Sequence, residues 1–354
     1  MSVLGVAGVV FVLSWWLTRR LCDPRSRLYL LDHPNERSLH LVPTPRTGGV
    51  AVLVSAACGF ALTALIGPGD QAHPASLLTA TGIWIIGAAA VLAVVSFCDD
   101  RWGLPIGLRF GVQVIAALAL VVGADVALGS LWVPFVGRLD LGWVAWPVTV
   151  VFLVWMTNLY NFMDGMDGFA GGMTVVGFCF LAYFAWRGAH PLVFTLSIMV
   201  ASGAAGFLLD NFPPARIFMG DVGSIPIGFL AGALTLVGRR DGLFDVWVPV
   251  MVFSPFILDA TATVIRRMLR GERVWEAHRV HYYQRLVLSG WGHRRTVLAE
   301  YALMVCCGIA ASLYHHGDGA GRTIIVLSWL AVFGVLGSGV GLLERRRVRQ
   351  EAGL

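Results

Sequence analysis

Stretches of about 20 apolar residues, the length a helix needs to cross a bilayer, recur from one end of this chain to the other. They fall near 2–18, 48–66, 77–97, 106–122, 143–157, 169–186, 191–209, 222–237, 247–265, 296–314 and 322–343. Of 354 residues, 57% are hydrophobic and 13% charged, and no hydrophilic run is long enough to build a separate domain. The expected fold class is therefore all-α: a single polytopic membrane domain over 1–354 with about eleven membrane helices, ten as the lower count. The fourth and eighth runs are the weakest because they are short. Residues 1–18 do not read as a cleaved signal, since no positive charge precedes the apolar run and Arg19 and Arg20 follow it. The six cysteines show no ligand spacing and read as small packing residues.

The basic residues orient this map. The formal charge of +5 contains no lysine; all 26 basic residues are arginine. With the N-terminus outside, the cytoplasmic segments are 19–47, 98–109, 158–168, 210–221, 266–295 and the tail from 344, and they hold 21 of the 26. Arginine-rich loops stay on the cytoplasmic side, so the C-terminus is expected there too. Arg239-Arg240 is the one local violation.

Four polar motifs then share that face: Asp99-Asp100, Asn158 to Gly168, Asp210 to Ser224, and His278 to His281. Asp99, Asp100, Asp164, Asp167 and Asp221 lie at or just beyond span ends, where a charge is expensive unless hydrated or paired. In Asn158-Leu-Tyr-Asn161-Phe-Met-Asp164-Gly-Met-Asp167-Gly168, amides and carboxylates repeat every three residues. That spacing makes them neighbours on a helix, while Gly165 and Gly168 also permit a helix end opening into a loop. Either geometry suits a divalent cation with oxygen ligands; a polar inter-helix turn is the plainer alternative. Asp99 and Asp100 are adjacent, so at most one of them faces a given ion. Gly220-Asp221 starts the eighth span, where free backbone N–H groups favour anions. Asp221 reads as a metal ligand in preference to a helix cap.

The first inner loop carries His40, Thr44 and Arg46 before Gly48-Gly49. Arg37 and Arg46 offer forked phosphate donors, and the glycines are expected to let backbone approach a ligand. The 266–295 loop interleaves Arg266, Arg267, Arg270, Arg273, Arg279, Arg285, Arg294 and Arg295 with His278, His281, Tyr282 and Tyr283. It suits either anionic headgroups or a charged substrate. Asp259, inside the ninth span, is expected to be a buried structural partner near Arg266.

Pro43-Thr44-Pro45-Arg46 with Gly48-Gly49, Asp99-Asp100, Asn158 to Gly168 and Pro214-Ala-Arg216-Ile-Phe-Met-Gly-Asp221-Val-Gly-Ser224 run almost end to end. In them the chain resembles the polyprenyl-phosphate N-acetylhexosamine-1-phosphate transferase superfamily, glycosyltransferase family 4. Members of that family start O-antigen, enterobacterial common antigen, teichoic acid and peptidoglycan lipid intermediates. Many carry a His-x-His-His cluster in the last large inner loop. Here His281 matches its first histidine, and Tyr283 and Gln284 replace the others. The loop is more similar to the O-antigen-initiating branch than to the peptidoglycan branch.

The resemblance implies transfer of N-acetylhexosamine-1-phosphate from a UDP-sugar to undecaprenyl phosphate, releasing UMP. It places the site on the cytoplasmic face of a bacterial inner membrane. The implied catalytic residues are Asp99, Asp100, Asp164, Asp167 and His281. Asn158, Asn161, Arg216, Arg46, Thr44, His40 and Arg279 are the implied substrate contacts. Asp221, Asp164 and Asp100 would hold Mg²⁺, with Mn²⁺ as the alternative ion. UDP-N-acetylhexosamine, undecaprenyl phosphate and the bilayer are the expected partners; no nucleic acid is expected, and a homodimer stays open. A transporter is the competing class, because intramembrane carboxylates mark ion paths. Against it, the carboxylates gather at one face, and no inverted repeat with paired broken helices is evident. A CDP-alcohol phosphotransferase would need a different Asp/Gly spacing.

Overall fold

The computed structural model describes residues 2–34, 38–67, 74–273 and 278–351. The chain begins with α1 (Val3–Leu21), the short strands β1 (Leu31–Asp32) and β2 (Thr44–Pro45), α2 (Gly48–Ile66) and the single turn α3 (Pro74–Leu77). Then come α4 (Ala80–Trp102), α5 (Ile106–Ala124), a hairpin of β3 (Ser130–Val133) and β4 (Gly137–Asp140), and α6 (Ala145–Phe162). The central part holds α7 (Phe169–Arg187), α8 (Pro191–Asn211) and α9 (Asp221–Arg240). The last third holds α10 (Trp247–Val252), α11 (Ser254–Leu269), α12 (Tyr282–Leu286), α13 (Gly292–His316) and α14 (Gly319–Glu351).

Among the described residues ten helices are long and apolar enough to cross a membrane, so the chain is an all-α polytopic membrane protein. The expected ninth span is the one that differs. Residues 247–265 do not form one helix: α10 stops at Val252, Phe253 leaves helical geometry, and α11 restarts with Pro255 in its first turn. Proline has no N–H to continue the preceding ladder and suits a first turn. The expected arginine tail from 344 also differs, continuing as the end of α14.

The short eighth run becomes the most buried helix. Every residue of α9 from Val222 to Gly238 is buried, as expected of a helix that is apolar on all sides. It packs against α6, α4, α2, α7 and α8. Lipid-facing positions lie on outer helices, where Val94, Ile115, Val122, Val151 and Val335 are exposed. Helices satisfy their own backbone groups, so such faces are compatible with hydrocarbon.

The entry to α9 fixes the site. Gly48 and Gly49 donate their N–H groups to the Phe218 and Met219 carbonyls, at 2.9 and 2.8 Å, and Phe218 N–H bonds Pro45 O at 2.7 Å. A Cβ on Gly49 would lie 2.2 Å from the Gly223 Cα. The glycine pair thus admits α9 rather than a ligand, which corrects its expected role. Gly49→Ala should strain this contact by about 1–3 kcal/mol, the usual cost of overpacking. Thermal unfolding of the purified protein should show a lowered midpoint for Gly49→Ala. Gly87→Ala, where a Cβ meets nothing within 4 Å, should unfold with the wild type.

Candidate active site

A cavity of about 440 Å³ opens at the end of the bundle where α9 begins. Its wall includes Asp100 from α4, Arg109 from α5, Asn161 from α6, Asp164 and Asp167 from the α6–α7 turn, and Asp221 from α9. Its polar lining also includes Asp32, His40, Arg46, His278, His281 and His293.

The carboxylates are organised around the first turn of α9. Gly220 N–H donates to Asp164 Oδ2 and Val222 N–H donates to Asp100 Oδ2, each at 3.0 Å. Asn161 Nδ2 donates to Asp221 Oδ1 at 2.7 Å and to Ser224 Oγ at 3.1 Å. The positive end of α9 is therefore occupied by the protein's own carboxylates. Gly220 makes this approach with φ of 71°, and a Cβ there would lie 2.0 Å from the Arg46 carbonyl oxygen. Only glycine fits that position.

Two arginines face the group. Arg46 donates to the Asp100 carbonyl and brings its Nε to 3.6 Å from Asp100 Oδ1. Arg109 Nη1 lies 2.6 Å from Asp99 Oδ2 and 3.7 Å from Asp221 Oδ2. Asp99, Asp100, Asp164 and Asp221 thus meet two guanidiniums, and Asp32 also lines the wall, so carboxylates outnumber arginines. Burial, followed by the charge of Asp221, holds the Asp164 carboxyl well above the usual carboxylate range, against the Gly220 hydrogen bond. A divalent cation would add positive charge here, and hard oxygen donors suit Mg²⁺. Among the described residues no group of three or more His, Cys, Asp or Glu is placed to hold a metal ion. One or two of these carboxylates would suit an ion that takes its remaining ligands from elsewhere.

Of the expected site residues, Asp100, Asp164, Asp167, Asp221, Asn161, Arg46, His40 and His281 line the cavity. Five others do not. Asp99 spends its carboxylate on Arg109 and on Leu104 N–H at 2.7 Å, so Asp100 is the one of the pair that faces inward. Asn158 turns to Gln113 Oε1 at 2.7 Å. Arg216 points outward and pairs with Asp210 at 3.3 Å. Thr44 is buried in β2 and donates to Val42 O at 2.9 Å. Arg279 is exposed and does not contribute to the wall. Arg37 lies outside the described residues.

Asp167 is tied down from two sides, by Ala215 N–H at 3.0 Å and His293 Nδ1 at 3.1 Å. Burial acts to raise its pKa, but the His293 hydrogen bond and charge outweigh it and the carboxyl sits below its ordinary value. His278 is pushed down to about 4, by burial first and then by the His281 and Arg267 charges, so it faces the cavity neutral.

Three contributors had no site role in the sequence reading. Arg109 looked like one more inner-loop arginine. His293 is a single histidine among apolar and basic neighbours. Asp259 was read as a partner of Arg266, but Arg266 donates to Val280 O at 2.6 Å instead. Asp259 Oδ1 lies 3.1 Å from His281 Nδ1. Its two oxygens also accept the Tyr282 and Tyr283 N–H groups at 2.9 and 3.0 Å. Asp259 therefore orients His281 toward the cavity from outside it, an arrangement familiar from carboxylate–histidine pairs.

Comparison with known proteins identifies the family. Residues 82–239 match the model of the family described as Glycosyl transferase family 4. A Bacillus subtilis protein named as a probable undecaprenyl-phosphate N-acetylglucosaminyl 1-phosphate transferase is 32% identical, over 79% of this chain and 76% of its own length. A Mycobacterium tuberculosis decaprenyl-phosphate N-acetylglucosaminephosphotransferase is 32% identical over 89% of this chain and 83% of its own. A Moorella thermoacetica phospho-N-acetylmuramoyl-pentapeptide-transferase is 32% identical over 75% and 83%. The matched region contains Asp100, Asn161, Asp164 and Asp221, and with these similarities the chain belongs to glycosyltransferase family 4, the polyprenyl-phosphate N-acetylhexosamine-1-phosphate transferase superfamily.

Proposed function

We propose that this protein transfers N-acetylhexosamine-1-phosphate from a UDP-sugar to undecaprenyl phosphate on the cytoplasmic face of the membrane. The observation that carries this reading is the convergence of Asp100, Asp164 and Asp221 with Arg46 and Arg109 in one cavity at the start of α9. Such a site handles phosphates by charge and alignment. N-acetylglucosamine is the donor sugar favoured by the names of the Bacillus and Mycobacterium relatives. The product would start a cell-envelope polysaccharide, O antigen being one such polymer.

In the transfer, an oxygen of the acceptor phosphate forms a bond to the β-phosphorus of the UDP-sugar. The bond from that phosphorus to the bridging oxygen breaks, and UMP leaves with the bridging oxygen. With a second phosphate pKa near 6, most acceptor is already ionised at neutral pH, so the chain's main task is to bring two anions together. Arg46 and Arg109 present guanidiniums to the phosphates. The exposed Ile106, Leu108 and Phe110 beside Arg109 offer the prenyl chain an apolar approach. Asn161 holds Asp221 in place, and Asp259 and Asp167 orient His281 and His293. His278, neutral, suits hydrogen bonding to the sugar or base. Asp221 and Asp164 would hold Mg²⁺, or Mn²⁺ in its place, with Asp100 beside them on the Val222 N–H. When bound, the ion would offset the charge that develops on the diphosphate oxygens.

Purified protein supplied with Mg²⁺, undecaprenyl phosphate and a panel of UDP-sugars should release UMP with at least one N-acetylated donor. Asp164→Asn and Asp221→Asn should each reduce that release by about 10²-fold or more, the scale of losing a preorganised electrostatic group. Turnover at wild-type rates in both variants would overturn the assignment.

The cavity wall includes Arg109 and leaves out Arg216, the reverse of the sequence expectation. Arg109→Gln should lower kcat/KM by about 10²-fold, the loss of a charge-assisted phosphate contact. Arg216→Gln, whose side chain points away, should stay close to wild type in the same assay.

A further inference from the structure

A second polar cavity, of about 470 Å³, lies at the opposite end of the bundle. It sits between the β3–β4 hairpin, the end of α9 and the α13–α14 turn, and its wall includes Arg138, Arg239, Arg322, His315 and Asp245. α9 runs 20 residues from Asp221 to Arg240, which sets the two cavities roughly 30 Å apart, close to the thickness of a bilayer core.

The charges here are unbalanced. Arg240, next in sequence, is matched by Asp241 through Nε at 2.7 Å and Nη2 at 2.9 Å. Arg239 instead donates to the carbonyl and hydroxyl of Ser130, at 2.6 and 2.9 Å. Among the described residues it has no carboxylate within ion-pairing distance. Arg322 stacks on the Tyr314 ring with its guanidinium 5.3 Å from the centroid. Its Nη2 donates to the His315 carbonyl at 3.5 Å, and its Nε is buried without a hydrogen-bond partner. Asp245, the one carboxylate in the wall, accepts Trp247 N–H at 3.0 Å. Arg138 sits exposed at the rim, beside Asp140 at 3.5 Å. Two forked cations with free donors, in a recess with one committed carboxylate, call for an anion from outside the chain. Arg239 is one of the two arginines that break the charge asymmetry of the loops.

We infer that this recess binds a phosphate-bearing anion, held by Arg239 and Arg322. Two sources share that chemistry: the headgroup of an anionic lipid in the adjoining leaflet, and soluble phosphate.

Native mass spectrometry of the full-length protein, released from detergent, tests the inference. The probes are phosphatidylglycerol, phosphatidylcholine and inorganic phosphate. Wild type should retain phosphatidylglycerol or inorganic phosphate in preference to phosphatidylcholine. Arg322→Gln should weaken that binding about tenfold, the scale of one hydrogen bond to a charged group, and should keep wild-type sugar-phosphate transfer. Binding of phosphatidylglycerol alone assigns the recess to a headgroup; competition by inorganic phosphate assigns it to a soluble anion. Arg239→Gln serves as a second variant and should lose binding in the same way. Equal retention of phosphatidylcholine, or undiminished binding in both variants, would overturn the inference.

Discussion

The first turn of α9 is where the architecture of this protein is decided. Gly220 and Val222 give their N–H groups to carboxylates from two other elements, and Asn161 from a third holds Asp221. Two segments far apart in sequence, the end of α4 and the end of α6 with the turn after it, are thereby registered on one helix end. The arrangement gathers negative charge at a place where charge is costly. It holds because the helix end, Arg46 and Arg109 supply part of the balance. Burial also pushes the Asp164 carboxyl well above its ordinary range, which lowers the charge to be balanced.

Much of this was legible in the sequence, for identifiable reasons. Apolar run length reports helices, and arginine distribution reports which ends share a face, so the polar motifs could be placed on one side before any contact was known. The motif around Asn158 to Gly168 showed its helix end because Gly168 adopts φ of 74° as α7 begins. What could not be read was direction. Asn158 and Asn161 are three residues apart, yet one meets Gln113 and the other meets Asp221. Arg216 sits in a highly specific motif and faces outward, whereas Arg109 sits in none and faces inward. Rotation about a helix axis and the course of a loop depend on packing partners that a motif does not name.

Asp259 shows the same limit from the other side. A carboxylate inside an apolar run suggests a buried pair, but nothing in the spacing distinguishes Arg266, seven positions on, from His281 in the next loop. The three-dimensional answer is a network: one carboxylate orients His281 and caps the start of α12. It makes the amphipathic α11 part of the site without contributing a side chain to the cavity wall.

The break between α10 and α11 carries a further consequence. Non-helical backbone at membrane depth survives only where protein covers it. Here Ser254 bonds Met251 O at 2.6 Å, receives Trp329 Nε1–H from α14 at 3.1 Å and lies 3.2 Å from Cys307 Sγ on α13. The last two helices are thus a lid over a gap in the backbone ladder, a role their lipid-exposed outer faces conceal. Shortening the chain before α13 would open that gap to hydrocarbon, so the interruption at Phe253 and its C-terminal cover form one inseparable unit.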